Sequence, residues 1–330
     1  MGQNGRMRWM DTIRGLAIVL VIVWHSVAVP RLYGFPMPEW VLTANNSLLP
    51  FRMPALMFLS GLLLPRSLSR PMPAYYIGKA RMLVWPYILW AALHMQLYGA
   101  VAPMWHPRAW IATGYLWFLF LIACYYFLAP LIRWVPDWLV PLVFFVASVP
   151  VDEKLAVRFL YFGGFFFAGN MVARRPELLG RLVSNRWLIG VSTVLAVAVG
   201  AVSAVTDTQY QAQYAIGSLG GILAALAAAR RLEGVRWLAG LQSIGRRSIV
   251  YYVSHFPVMI GCIAACTAVG LDELWVVALV NLVAALAVGA LLARYRDTPP
   301  VMWLFEAPRL TAGRGGAASH VSQPDLLAQP

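Results

Sequence analysis

The sequence predicts an all-α, polytopic membrane protein with about ten transmembrane helices and both termini in the cytoplasm. Three observations support this prediction. Of the 330 residues, 61% are hydrophobic and only 12% are charged, and the mean hydropathy is +0.68. Apolar runs long enough to cross a bilayer recur along the chain, which is not typical of a soluble protein. The basic residues fall in alternate loops, as the positive-inside rule expects.

Ten apolar segments are predicted as membrane spans. They cover residues 12–29, 50–64, 82–102, 110–132, 137–150, 156–173, 187–206, 212–229, 248–269 and 274–293. The second and fifth are short and contain or adjoin proline, so we expect one of them to be tilted or broken.

The loop charges orient these spans. Loops on the side of the N-terminus hold 20 Lys and Arg residues and the opposite loops hold 4, which places both ends in the cytoplasm. We predict a membrane domain over residues 1–310. The segment 311–330 is rich in Gly, Ala, Ser, Gln and Pro, which predicts a disordered cytoplasmic tail.

Several classes of function are disfavoured by the composition. The net charge of +13 lies in the loops and not on a folded basic face, so no nucleic-acid partner is expected. The three cysteines all lie in apolar segments, which argues against a disulfide framework. No metal-ligand spacing is visible, so no metal site is predicted. The contacts that we do expect are with membrane lipids.

Charged and titratable side chains share one face of the first span. Arg14 and His25 are separated by eleven residues, which at about 100° each return to within ~20° of the same helix face, ~16 Å apart. Asp11 lies three residues before Arg14 and joins this face. An ionised arginine at mid-membrane costs about 2.5–3.5 kcal/mol, so such residues are expected to face a cavity and to be functional.

Two other interpretations of this segment remain. Basic residues before an apolar run also resemble a cleaved signal peptide, with Ser26-Val27-Ala28 as the cleavage site, although intramembrane Arg14 and His25 favour a retained helix. His25 is either a general base near neutral pH or a packing residue bonded to a neighbouring helix.

The second span runs inward and carries Arg52 at a depth similar to that of His25. Such a cation can keep a nearby histidine neutral or stabilise an oxyanion, or it can simply extend to the outer headgroups. Ser60 follows on the same span beside Gly61, and this pair either contributes to the substrate site or allows close helix packing.

Four basic residues follow in the next cytoplasmic loop. Arg66, Arg70, Lys79 and Arg81 can bind the phosphates of a soluble donor. The alternative is that they only orient the protein and contact lipid.

Two later segments contain candidate substrate-binding residues. Trp117 begins the fourth span, although its aromatic neighbours also fit an interfacial belt. His255 lies inside the ninth span, two residues before Pro257. It either faces the same cavity as His25 or hydrogen-bonds backbone groups that the proline frees.

Five motifs, in this order along the chain, resemble the integral-membrane acyltransferase family 3. They are Asp11-x-x-Arg14-Gly15-x-Ala17-Ile18 closing on His25, Met53-Pro54 with Phe58-Leu59-Ser60-Gly61, Leu116-Trp117-Phe118-Leu119, the weaker Phe165-Phe166-Phe167-Ala168-Gly169, and Ser248-Ile249-Val250-Tyr251 through His255-Phe256-Pro257. The resemblance covers residues 8 to about 260.

The resemblance implies an O-acyltransferase with ten helices in the cell membrane, most simply a bacterial inner membrane. The donor would be cytoplasmic acyl-CoA, usually acetyl-CoA, and the acceptor a hydroxyl of a cell-envelope or exported glycan. Arg14 and His25 match the family's catalytic pair, and Asp11 matches the acidic residue before it. The basic loop matches the donor-binding region, but only Lys79 and Arg81 stand where many members have a run of arginines.

The sequence therefore predicts catalysis by His25, Arg14 and Asp11. His25 would act as general base or as transient acyl carrier, and Asp11 would orient Arg14 through an ion pair. A transporter of an anionic solute would also place Arg14, Arg52 and His25 along a lumen, and a scaffold in an envelope-assembly complex would need neither donor nor base. The glycan, the acyl group and the oligomeric state are not determined by these motifs.

Overall fold

A computed structural model describes residues 7–308, which are organised into fourteen α-helices with no strand among them. The helices are α1 Arg8–Arg31, α2 Glu39–Gly61, α3 Leu64–Leu68, α4 Met72–Lys79, α5 Trp85–Tyr98, α6 Trp117–Leu128, α7 Leu139–Ala147, α8 Lys154–Ala173, α9 Pro176–Ser184, α10 Arg186–Val205, α11 Ala215–Arg231, α12 Ala239–Arg246, α13 Ser248–Ala268 and α14 Leu274–Tyr295. We call the end of the bundle where α1 begins the inner end and the opposite end the outer end.

Seven helical segments within residues 7–308 are long and apolar enough to cross a membrane. They are Arg8–Arg31, Glu39–Leu68, Lys154–Ala173, Arg186–Val205, Ala212–Arg231, Ser248–Ala268 and Leu274–Tyr295. The all-α membrane architecture is thus confirmed, and the number of ten spans stays a prediction. The tail predicted over 311–330 lies outside the described residues.

The other three predicted spans are built from shorter helices. The third, predicted over 82–102, falls on a π-helical turn, Ala80–Val84, and on α5, while α4 forms part of the segment predicted as a loop. The fourth begins with a 3₁₀ turn, Gly114–Leu116, followed by the twelve residues of α6, and the fifth is the nine-residue α7.

The predicted start of the second span was wrong. Pro50 suggested a helix boundary there, but α2 begins at Glu39 and runs through both Pro50 and Pro54 to Gly61. A proline leaves the carbonyl four residues earlier without its helical donor. Inside a membrane protein that carbonyl needs another partner, and neighbouring helices supply one.

Side chains from other parts of the chain donate to three of these freed carbonyls. Pro30, Pro50 and Pro257 are the prolines concerned. The carbonyl of Ser26 accepts from Asn281 (3.2 Å), that of Asn46 from Ser203 (2.7 Å), and that of Val253 from the Tyr115 hydroxyl (2.6 Å). These bonds let the helices continue through proline and tie them to their neighbours.

Glycines allow two pairs of helices to touch backbone to backbone. Gly15 on α1 faces the Leu241 carbonyl of α12, and Gly245 on α12 faces the Asp11 carbonyl in return. A methyl group at either glycine would overlap the opposite backbone. The closeness of α1 to α12 therefore depends on small residues at both positions.

The same reciprocal contact joins α2 to α8. Gly61 faces the Phe166 carbonyl, and Gly169 faces the Phe58 carbonyl. Close helix packing, one of the two interpretations of Ser60-Gly61, is confirmed for the glycine. Helix α1 also packs against α2, α13 and α14, so it stands among the helices that carry the candidate site.

Candidate active site

A cavity of about 280 Å³ opens among α1, α2, α4, α6 and α13. Its lining includes three cationic side chains, Arg14, Lys79 and Arg296. Arg14 donates from Nη2 to the Leu59 carbonyl at 3.0 Å, which ties α1 to the end of α2. We call this space the inner cavity because Arg14 lies near the start of α1.

Lys79 is positioned by two contacts. Its Nζ donates to the Ser67 hydroxyl at 3.0 Å and lies 3.4 Å from the centre of the Tyr126 ring. The Tyr126 hydroxyl in turn donates to the Ser60 carbonyl at 2.9 Å. The ammonium group is therefore held at the cavity wall by an aromatic face and a hydroxyl, neither of which neutralises its charge.

Arg296 is the site residue that the sequence analysis missed. Its Nε is buried with no hydrogen-bond partner in residues 7–308, and its Nη1 lies 3.5 Å from Asp297. Hydrogen bonds from Arg247, one of them 3.0 Å long, hold the pKa of Asp297 below its usual range. Since Asp297 is engaged mainly by Arg247, Arg296 keeps hydrogen-bonding capacity for a ligand.

The other basic residues of the loop are placed differently. Arg66 and Arg70 are exposed, and they do not line the inner cavity. Arg81 donates to the Glu306 carboxylate at 2.7 Å and to the Ala307 carbonyl at 2.8 Å. Arg81 thus binds the segment after α14. These contacts occupy the hydrogen-bond donors that its predicted role in binding the acyl donor would need.

Two histidines from α1 and α13 lie side by side beyond the inner cavity. The ring centres of His25 and His255 are 5.0 Å apart. Nδ1 of His25 bonds the Val21 carbonyl (2.9 Å), and Nδ1 of His255 bonds the Tyr252 carbonyl (2.6 Å). A carbonyl only accepts, so each Nδ1 carries a proton, and in the neutral form of each ring Nε2 keeps its lone pair.

His255 lies beside His25, whereas a cavity shared by the two histidines stays a prediction. The carbonyl that Pro257 frees, that of Val253, is occupied by Tyr115 and not by His255. His255 is fully buried, and no residue among 7–308 donates to its Nε2. The pair is therefore an arrangement of two adjacent imidazoles, each with a basic nitrogen.

Arg52 is turned into the bundle. It is 7% exposed, which rules out extension to the headgroups. Its Nη1 donates to the Leu20 carbonyl of α1 at 3.2 Å, and its Nη2 donates to the Asn45 side chain. Leu20 and His25 lie on the same helix less than two turns apart, so this hydrogen bond holds Arg52 near the level of His25.

One tyrosine adjoins both the inner cavity and the histidine pair. Tyr252 lines that cavity, and the centre of its ring lies 6.0 Å from that of the His255 ring. Its hydroxyl donates to the Tyr115 carbonyl. The lining of the inner cavity includes Arg14 but not His25, so the two residues share a helix face without sharing this cavity.

Three other predicted residues are located as follows. Ser60 lines the inner cavity with Arg14, and its hydroxyl donates to the Leu56 carbonyl at 2.8 Å. Asp11 is buried, and its backbone carbonyl lies against α12. The ion pair predicted between Asp11 and Arg14 stays a prediction.

Trp117 lies apart from the histidine pair. Its ring packs on Phe162 with centres 5.2 Å apart, and the Arg158 guanidinium lies 5.2 Å from its centre. These contacts face α8, so the structure does not bring Trp117 together with His25. Within the described part of the chain, no group of three His, Cys, Asp or Glu could hold a metal ion.

Comparison with known proteins identifies the family. The family model for acyltransferase family 3, described as an acyltransferase domain, matches residues 7–294. No curated protein and no solved structure was found to match the chain. The matched region contains α1 to α13, all but the last residue of α14, and every residue that lines the inner cavity except Arg296. The chain is a membrane acyltransferase and belongs to the integral-membrane acyltransferase family 3.

Proposed function

We propose that the protein transfers an acyl group, most simply acetyl, from cytoplasmic acyl-CoA to a hydroxyl of a cell-envelope or exported glycan. The observation that carries this proposal is a cavity with three cations, one of whose lining residues, Tyr252, also contacts one of two adjacent imidazoles. The cell membrane as location, with the inner end facing the cytoplasm, follows from the loop charges.

The inner cavity suits one part of such a donor. Phosphate groups are recognised by guanidinium and ammonium donors, and Arg14, Lys79 and Arg296 supply three of them. Ligand pockets for drug-sized molecules span about 300–1,000 Å³, so a cavity of about 280 Å³ holds only part of acyl-CoA. The three cations would hold phosphate groups of the donor here, with the pantetheine arm and its thioester extending toward His25, while Arg66 and Arg70 remain available to the nucleotide.

The chemical step requires a base where donor and acceptor meet. The acceptor oxygen attacks the thioester carbonyl carbon, and its proton passes to Nε2 of His25. The C–S bond of the tetrahedral intermediate then breaks, and the proton returns to the leaving sulfur to give free coenzyme A. Arg52, held beneath His25 by the Leu20 carbonyl, supplies positive potential for the developing oxyanion.

Displacement of the Tyr252 side chain would join the two regions. Tyr252 adjoins both the inner cavity and the histidine pair. We therefore propose that the thioester reaches His25 past this ring. Direct transfer needs only one such movement, which makes it the simpler route compared with a transient acyl-histidine.

The test replaces His25 with alanine. Loss of a general base typically costs 10²–10⁴-fold in rate, so we expect His25→Ala to lower transfer of labelled acetyl from acetyl-CoA in membranes by at least about 100-fold. His106→Ala, on a loop outside the site, is the matched control and should retain activity. Unchanged transfer by a fully expressed His25→Ala protein would remove His25 from the reaction.

A further inference from the structure

A second cavity, of about 370 Å³, lies at the outer end of the bundle. It is bounded by His94 and Tyr98 at the end of α5 and by parts of the connection between α5 and α6, residues 99–101, 109 and 111–114. We call it the outer cavity. None of the described residues that line it carries a formal charge, in contrast to the three cations of the inner cavity.

His94 is the distinctive polar group of this wall. The side chain is 5% exposed, and its Nδ1 has no hydrogen-bond partner in the described part of the chain. A buried polar nitrogen without a partner is costly, and an apolar side chain of similar size would fill the position at less cost. The presence of histidine here therefore points to a ligand or to a reaction that uses it.

A glycine makes room for the imidazole in this wall. Gly114 has a φ of +47°, a left-handed conformation that few side chains adopt. A Cβ at this position would overlap Nε2, Cε1 and Cδ2 of His94. The His94 ring therefore packs against the Gly114 backbone, and its position in the wall depends on glycine at 114.

One aromatic ring links this cavity to the histidine pair. The Phe256 ring centre lies 5.5 Å from that of His94 and 5.9 Å from that of His25. Tyr115 stacks on Phe256 at 4.7 Å and also contacts His94 and His255. The Phe256 ring therefore connects His94 to His25, and a molecule bound in the outer cavity would reach His25 past this ring.

We infer that the outer cavity binds the acceptor, an uncharged hydroxyl compound such as a sugar ring, and that His94 holds one of its hydroxyl groups. Aromatic and aliphatic walls with a few fixed polar groups are what such a ligand needs, and a wall without cations gives no attraction to an anionic one. This inference rests on the proposed acyl transfer. It gives donor and acceptor separate entrances at opposite ends of the bundle.

The test compares acceptor use with donor binding. His94→Phe keeps the ring contacts and removes both nitrogens, and Gly114→Val forces the His94 ring out of its position. We expect each variant to lower labelled acetyl transfer to the endogenous acceptor by about 10-fold or more, while the Kd of the purified protein for acetyl-CoA stays within about twofold. His106→Phe, another histidine of the same connection, should change neither quantity.

Two results would overturn the inference. One is full transfer by both variants, and the other is a parallel loss of transfer and acetyl-CoA binding, which would show that His94 acts only through the fold. The assay is made in membranes where the wild-type protein transfers label. Failure of the wild-type protein to bind acetyl-CoA would contradict the proposed function itself, which distinguishes it from the two results that bear on His94.

Discussion

Helix packing does not explain why the buried Nε2 of His255 has no hydrogen-bond partner among residues 7–308. Polar atoms inside a membrane protein are expensive when unpaired, and phenylalanine would give the same ring contacts without this cost. Two imidazoles 5.0 Å apart, each with a lone pair, can share the proton that leaves the acceptor. His255 then acts by assisting His25, so their contributions should not be independent.

A double variant measures this dependence. We expect His255→Phe to lower acetyl transfer by about 10-fold, and His25→Ala combined with His255→Phe to be no slower than His25→Ala alone. Residues that serve one proton path give such non-additive losses. Fully multiplicative losses in the double variant would show that the two histidines act separately.

Arg296 leads to a second prediction at this scale. Hydrogen bonds to charged groups contribute about 1.5–3 kcal/mol, which corresponds to at least a tenfold change in affinity. Arg296→Gln should therefore raise KM for acetyl-CoA about 10-fold with a smaller effect on kcat. Arg294→Gln, which removes a cation stacked on Tyr295 outside the cavity, is the matched control. An effect of the same size in both variants would argue against a phosphate contact at Arg296.

At the scale of elements, reciprocal glycine contacts set the distance between paired helices. Gly15 follows Arg14 directly, so the contact of α1 with α12 also determines where the Arg14 side chain begins. Gly15 belongs to the same motif as Arg14, but its role in the structure is helix packing. The carbonyls that the prolines leave without a helical donor also fix the helices relative to one another, because each accepts a hydrogen bond from another part of the bundle.

Two glycines of α12 test this role. A Cβ on Gly245 would overlap the Asp11 carbonyl of α1, whereas Gly240 on the same helix has open space around it. Overpacking of a tight contact costs about 1–3 kcal/mol, so Gly245→Ala should lower Tm in detergent by several degrees. Gly240→Ala should leave Tm unchanged or raise it slightly, because alanine favours the helix. Equal Tm values for the two variants would contradict the proposed contact.

At the scale of the whole molecule, the segment after α14 closes the bundle against α5. Phe305 is fully buried and stacks on Trp90, whose indole donates to the Leu304 carbonyl at 2.9 Å. Arg81 adds its ion pair with Glu306. These contacts join positions more than 200 residues apart and hold the end of α14, with Arg296, beside the inner cavity.

The orientation of the bundle is tested by labelling introduced cysteines. In a background without Cys124, Cys262 and Cys266, a membrane-impermeant maleimide should label Val101→Cys in intact cells, since Val101 is 91% exposed at the outer end. Gly180→Cys on α9, a position with open space around it, should react only after the membrane is permeabilised. The reverse pattern would contradict the orientation that the loop charges predict.

The sequence by itself determined the membrane class, the family and the shared face of Arg14 and His25. These properties depend on composition and on helical periodicity, which relate residues only within one segment. The tertiary structure decided that Arg296 reaches the inner cavity, that Arg81 is taken by Glu306, and that Trp117 lies away from His25. It also brought His94 next to Phe256. Contacts of this kind depend on how close and at what angle helices pack, and that is set by glycines and freed carbonyls far apart in the chain.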